Sequence, residues 1–164
     1  MNQVDRQARN QQRLSTLFPT FAARNSRVIH QLEGQGIRPR IQNACRSPAD
    51  QKKAFKAGHS KLLFGFHNVT GEEGQPERLA VDLLDDDAPL NPGKPYILKV
   101  AASAQAETLL TEVRWGVPQR LRRAIDDAIA SEHWDADVKI GWDPLHIEPP
   151  DVTVAEARAG KRPK

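Results

Sequence analysis

The stretch Gly141-Trp142-Asp143-Pro144-Leu145-His146-Ile147-Glu148 (residues 141–148) decides how this chain is read. It closes a compact, strand-like segment from Val138 to Ile147. Pro144 breaks that segment, because proline has no N–H to give to a sheet ladder. With His146 on a strand and Asp143 in the turn before it, both side chains can face one site. A hydrolytic zinc centre needs such a pair: a neutral imidazole as ligand, and a carboxylate to take a proton from water at the metal. An Asp-x-x-His pattern by itself has little specificity, so further ligands must come from elsewhere in the chain.

Two other segments carry candidates. Phe66-His67 is followed by Leu79-Ala80-Val81-Asp82-Leu83, which sets a carboxylate within an otherwise apolar strand. A bare carboxylate among Leu, Ala and Val is costly; a metal or an arginine partner removes that cost. Two histidines and an aspartate also leave the fourth zinc position open to water. In Cys45-Arg46-Ser47-Pro48-Ala49-Asp50-Gln51, Arg46 ends a strand just before a helix. There it serves either as a fixed charge for an oxyanion or a substrate carboxylate, or as one half of a structural ion pair. The chain has five histidines. His30 falls in an amphipathic helix, His133 at a helix end beside Trp134, and His59 in a loop.

The chain has 164 residues, 38% hydrophobic and 27% charged, which fits one globular domain and excludes the disordered class. Aromatics are only 5%, so Leu, Ile, Val and Ala must form the core. No apolar run approaches the roughly 18 residues of a membrane span, and the polar stretch Met1 to Gln12 lacks the apolar region of a secretory leader. A single cysteine, Cys45, excludes an internal disulfide and fits a reducing compartment. The net charge of +3 and a pI near 9.2 permit an anionic partner without selecting one. Basic residues are scattered, apart from Arg120, Arg122 and Arg123 and the stretch Lys161-Arg162-Pro163-Lys164. Both clusters are expected to be solvated, and nucleic acid is not the expected partner.

The periodicity predicts helices over residues 3–16 (with few apolar anchors: Val4, Leu14, Leu17), 20–34, 48–56, 97–115 and 118–132, with strands over 37–45 and 79–84. Ser47 is an N-cap candidate with Pro48 in the first turn. Residues 68–78 read as an exposed loop. Asp85-Asp86-Asp87 reads as a solvated strand end, although three adjacent carboxylates can also hold a cation. Helices mixed with short, non-alternating strands predict an α+β fold.

Together the three segments resemble a family, the peptidoglycan-cleaving zinc peptidases that include D-alanyl-D-alanine carboxypeptidases and dipeptidases. The resemblance is strongest to the phage endolysin branch, the L-alanyl-D-glutamate peptidases. That family shows Arg-Ser followed by Gln, then His with a downstream Ala-x-Asp, then Trp, Asp-x-x-His and Glu. This chain has Arg46-Ser47 with Gln51, His67, Ala80-Val81-Asp82, and Trp142-Asp143-Pro144-Leu145-His146-Ile147-Glu148. Leu17, Pro19, Phe21 and a helix ending at Gly36-Ile37 resemble the branch's lead-in, and Ala57-Gly58-His59-Ser60 its loop before the first histidine. The match spans residues 14–149.

The resemblance implies a small α+β domain whose central antiparallel sheet carries zinc on His67, Asp82 and His146. It implies Asp143 as the general base, later the proton donor to the leaving amine, and Arg46 as the group that steadies the oxyanion. Glu148, Gln51 and Ser47 match positions that support these groups from behind. Three departures stand out. His67 and Asp82 are fifteen positions apart, more than the family's usual spacing, which reads as an insertion at 68–78 and adds Glu72 and Glu73 as rival carboxylates. Gly65 stands where the family usually has Ser. The helix 118–132 lengthens the stretch before Trp142.

The expected organisation is a catalytic domain over residues 1–150 and a tail over 151–164. The expected activity is a monomeric zinc endopeptidase that cuts the L-Ala–D-Glu bond of peptidoglycan stems. Without a leader, such an enzyme would wait in the host cytoplasm and reach the wall at lysis. A D-alanyl-D-alanine carboxypeptidase on the same scaffold is the alternative. A non-catalytic wall- or nucleic-acid-binding domain, or a metal-dependent nuclease, would be a different class.

Overall fold

The computed structural model describes residues 1–44, 46–58 and 64–164. Cys45 and the segment holding His59 and Ser60 therefore lie outside the described residues. In chain order the elements are α1 (Gln3–Leu14), α2 (Pro19–Gly34), β1 (Pro39–Asn43), α3 (Pro48–Lys56), a 3-10 turn (Phe66–Asn68), β2 (Val81–Asp85), α4 (Lys94–Ala106), β3 (Leu110–Thr111), a second 3-10 turn (Glu112–Arg114), α5 (Gln119–Ala130), β4 (His146–Glu148) and α6 (Val154–Arg158). The four strands pair antiparallel in the order β1-β2-β4-β3. The fold is thus a small α+β domain with helices flanking one antiparallel sheet. No helix among the described residues is long and apolar enough to cross a membrane.

Strand alternation sorts the sheet into two faces. Ile41, Val81, Leu83 and Ile147 are buried in the core. Their alternates Asp82, His146 and Glu148 lie on the opposite face. Asp82 sits directly across from His146, and Glu148 across from Leu110. One register irregularity matters: Ile41 pairs with Leu83 but Asn43 pairs with Asp82, so β1 carries an extra residue there. That bulge brings Asn43 beside Asp82.

The core side is closed by α4, which buries Tyr96, Ile97, Leu98, Val100, Ala101 and Ala104, and by α2 with Phe21, Val28 and Leu32. The polar helix α1 is held differently from its expected apolar anchors. Leu14 and Leu17 are buried, but Val4 is 74% exposed. The buried Asn10 acts as a substitute strand along β1. Its Nδ2 donates to the Pro39 carbonyl (3.0 Å), and its Oδ1 accepts from the Ile41 N–H (2.8 Å). An edge that would otherwise expose unpaired backbone groups is thereby covered. Arg6, also buried, pairs with Glu33 of α2 at 3.0 Å.

Several expectations need correction. The helix expected over 97–115 runs instead from Lys94 to Ala106. Thr108 takes a left-handed φ of 56°, and the Leu109 N–H returns to the Ala104 carbonyl, a C-terminal cap that ends the helix. The chain then becomes β3. The strand-like reading of 138–147 contracts to His146–Glu148, because the preceding residues bond to the turn after β3 instead. Residues 151–164 do not trail off. Val152 and Ala157 are buried, Thr153 caps α6, and Arg162 binds Glu77 (2.6 Å) and the Thr70 carbonyl (2.6 Å).

The insertion 68–78 is a small ordered hairpin rather than a wholly exposed loop. Thr70 bridges Pro76, Val69 is buried, and the buried Arg78 donates to the Val69 carbonyl at 2.7 Å. Asp86 receives Arg38, Arg40 and the N-terminal ammonium within 3.0–3.4 Å, so Asp85–Asp87 ends the strand in an ion-pair network. Of the basic cluster on α5, Arg122 donates to the Val117 carbonyl, and Arg123 faces Asp127 at 3.8 Å.

Candidate metal centre and cleft

The sheet face opposite the core forms the floor of a cleft of ≈ 170 Å³ lined by Arg46, Gln51, His67, Asp82, Asp143, His146 and Glu148, with Glu112, Trp115, Trp142 and Val154. Strand β2 presents Asp82 and β4 presents His146 and Glu148 on this face. The 3-10 turn brings His67 in from the side. That turn is tied down by Asn68, whose Oδ1 accepts from the Gly65 N–H (2.9 Å) while its Nδ2 donates to the Arg46 carbonyl (2.8 Å). The Arg46 N–H in turn donates to the His67 carbonyl at 3.1 Å. Residues 46 and 65–68 are thus held together by polar side chains and backbone bonds.

Asp82 stands at the centre. Its Oδ1 lies 3.3 Å from His67 Nε2 and 3.1 Å from His146 Nδ1. Its Oδ2 accepts from Asn43 Nδ2 at 3.0 Å. The His67 and His146 rings meet edge to face, 5.2 Å between centroids. One donor atom from each of His67, Asp82 and His146 falls within 4.8 Å of the others. Tetrahedral zinc with bonds near 2.0–2.1 Å holds its ligand atoms about 3.3 Å apart. The donor types and spacing therefore fit zinc. The outer nitrogens fit as well: His67 Nδ1 faces the Ala44 carbonyl at 3.5 Å, and His146 Nε2 meets Glu148 at 3.3 Å. Each imidazole thus has one nitrogen toward the centre and the other held from behind, as ligating histidines require.

The electrostatics follow. Burial pushes the Asp82 carboxyl up, but hydrogen bonds and charge from His146 and His67 outweigh it and hold Asp82 well below the usual carboxylate range. Burial opposes a charge on His146, yet its bonds to Asp82 and Glu148 win and push it up to about 10.

Asp143 lies at the cleft mouth in a left-handed conformation, φ 52°. Aspartate tolerates that region better than most residues. The His146 N–H donates to the Asp143 carbonyl at 3.1 Å, so Asp143-Pro144-Leu145-His146 is a tight turn with proline at its favoured second position. That turn places Asp143 in the lining of the cleft. Loss of hydration in the cleft, then the charge of Asp82, raise its pKa, against the pull of His146, His67 and Arg46. Arg46 Nη1 donates to Oε1 of the buried Gln51 at 3.1 Å. Ser47, by contrast, is not a cleft residue. It caps α3, accepting from the Asp50 N–H (3.1 Å) and donating to the Asp50 carboxylate (2.7 Å). Glu72 and Glu73 lie beside α6 in another depression, away from the centre.

The sequence reading missed Glu112, Asn43 and Asn68. Glu112 follows β3 into the cleft, with a carboxylate oxygen within 4.8 Å of donor atoms of His146 and Glu148. Burial, joined by the charges of Glu148, Asp143 and Asp82 against that of His146, pushes it up to about 7. The β-branched residues Thr108, Thr111 and Val113 were the available signal that the preceding helix had ended.

No protein-family model matches the sequence, and no curated protein matches it either. Among solved structures the chain is similar to the L-Ala D-Glu endopeptidase ChiX of Serratia marcescens, with a TM-score of 0.53 at 17% sequence identity, over 90% of this chain and 93% of that one. The two proteins share a fold over nearly their whole lengths.

Proposed function

We propose that the protein is a zinc-dependent peptidase that hydrolyses the L-Ala–D-Glu bond of peptidoglycan stem peptides, in the manner of a phage endolysin acting on the host wall. The observation that carries this reading is the cluster in which His67 of the 3-10 turn meets Asp82 and His146 of the sheet, with Asp143 and Arg46 lining the same cleft. The fold shared with an L-Ala D-Glu endopeptidase supports the choice of bond. The sequence resemblance over residues 14–149 supports the lytic role.

His67 Nε2, Asp82 Oδ1 and His146 Nδ1 would hold the metal. Zinc bound there would supply Lewis-acid polarisation and lower the pKa of a water toward roughly 7. Asp143, whose carboxyl is raised above its ordinary value by loss of hydration in the cleft, takes a proton from the attacking water and returns it to the leaving amine. Arg46, oriented by Gln51, faces the carbonyl oxygen as negative charge develops. Glu148 and Asn43 fix the orientations of His146 and Asp82, so the site is organised before substrate arrives.

The test is a mass-spectrometric digest of purified peptidoglycan beside a chelator-treated control. New fragments with an N-terminal D-Glu, absent from the control, are expected. Loss of a terminal D-Ala alone would move the activity to a carboxypeptidase. No fragments from folded, zinc-loaded protein would refute a peptidoglycan substrate.

A further inference from the structure

Four carboxylates line the cleft among the described residues, those of Asp82, Glu112, Asp143 and Glu148, against the one guanidinium of Arg46. Three of the four have a task. Asp82 binds His67, His146 and Asn43, Glu148 holds His146, and Asp143 carries the proton. Glu112 is the fourth. Among the described residues its carboxylate makes no hydrogen bond and no ion pair, and the like charges of Glu148, Asp143 and Asp82 act on it. A carboxylate held partly out of water without a counter-charge is costly. The three-ligand centre does not engage it. The Glu112 oxygen comes within 4.8 Å of donor atoms of His146 and Glu148 but stands outside the His67–Asp82–His146 group.

The backbone that carries Glu112 is fixed. Its carbonyl accepts from the Trp115 N–H (2.9 Å), and the next carbonyl, that of the fully buried Val113, accepts from the Gly141 N–H (2.7 Å). The two segments cross so closely that a Cβ at residue 141 would lie 2.6 Å from the Glu112 carbonyl oxygen. Glu112 therefore starts from a fixed point beside the ligands, as a group organised in advance for a bound partner does.

We propose that Glu112 is a specificity-determining residue that pairs with a primary ammonium group of the stem peptide. This rests on the peptidoglycan-peptidase reading and extends it. An ammonium supplies the missing counter-charge and donates up to three hydrogen bonds to a carboxylate. A stem has two sources of this one chemistry. The α-nitrogen of L-Ala is a free ammonium once the stem has left its glycan strand, and it lies only two bonds from the scissile carbonyl carbon. A group that reads it must stand beside the metal ligands, as Glu112 does. The other source is the side-chain amine of a diamino acid farther along the stem. In either case the pairing fixes the direction in which the stem lies across the centre.

The experiment measures kcat/KM of the zinc-loaded protein for the tripeptide L-Ala–γ-D-Glu–L-Lys in three forms: unmodified, acetylated on the α-amine, and acetylated on the lysine side chain. Binding of the uncleavable ketomethylene analogues of the same peptides is followed by isothermal titration. In the wild type, acetylating the amine that meets Glu112 is expected to lower both kcat/KM and affinity by about tenfold. Sensitivity to the α-acetyl group identifies the first source, and sensitivity to the side-chain acetyl group the second. Glu112→Gln keeps the shape and removes the charge, and is expected to lose the discrimination at unchanged zinc content. Glu112→Asp is expected to restore part of it. Equal slowing of all three peptides by Glu112→Gln, with the discrimination intact, would mean a structural role and would overturn the proposal. A second zinc per chain at saturating metal, lost in Glu112→Gln, would mean that a metal answers the charge, and would overturn it too. A wild type that cleaves the peptide yet is indifferent to both acetylations would overturn the proposal and leave the peptidase reading standing. Amine-dependent binding of the analogues through Glu112, without cleavage of any peptide, would uphold the pairing and refute the peptidase.

Discussion

One wall of the cleft comes from regular strands, the other from a helix end and two backbone segments that cross. On the strand wall, Asp82, His146 and Glu148 share a face because period-2 alternation puts them there, with Val81, Leu83 and Ile147 buried behind. On the other wall, Glu112, Trp115 and Trp142 meet because α4 stops at Ala106 and because Gly141 allows the segment before β4 to cross the turn after β3. Strand register thus sets Asp82 and His146 side by side, the 3-10 turn adds His67, and close packing at a glycine shapes the cleft mouth. The first wall would hold the metal; the second would meet substrate.

The sharpest way to separate the walls is Asp143→Ala. It is expected to keep about one zinc per chain by metal analysis while lowering kcat by about 10²–10⁴-fold, since Asp143 lines the cleft without belonging to the ligand set. Loss of zinc in this variant would merge the two roles. Glu148→Ala acts one step behind the ligands: zinc affinity, measured by competition with a chromophoric chelator, is expected to fall about 10–100-fold. On the other wall, Gly141→Ala forces a Cβ into backbone atoms. Thermal unfolding is expected to report a loss of about 1–3 kcal/mol, with zinc affinity nearly unchanged. The smallest effect belongs to Glu112→Ala, about tenfold in kcat/KM at constant zinc content, as expected for a group that contacts substrate and not metal. A large fall in zinc affinity in either of the last two variants would collapse the distinction between the walls.

The same contrast explains what could be read from the sequence. Val81-Asp82-Leu83 and His146-Ile147-Glu148 each pack their face assignment into three residues, so both the sheet and the clustering of its polar face were legible. Ser47-Pro48 signalled the start of α3, and Ser47 caps it. Leu109 to Trp115 was not legible, because the Ala- and Leu-rich run of α4 continues in composition past its end. The left-handed residue Thr108 turns the chain into β3, and only the β-branched Thr108, Thr111 and Val113 mark that change in the sequence. Asn43 and Asn10 were hidden for another reason. One depends on a bulge, the other on a helix serving as a strand's neighbour, and both are tertiary events. The segment after residue 150 looked like a tail because its apolar residues are few, yet Val152 and Ala157 suffice to dock it and Val154 reaches the cleft.

The central claim is that His67 of the 3-10 turn and Asp82 and His146 of the sheet form one metal centre. Isothermal titration of zinc into chelator-stripped protein, wild type beside His146→Ala, tests it most directly. The account predicts about one zinc per chain in the wild type and loss of that site in the variant. Equal binding by both proteins, or none by a folded wild type, would contradict it.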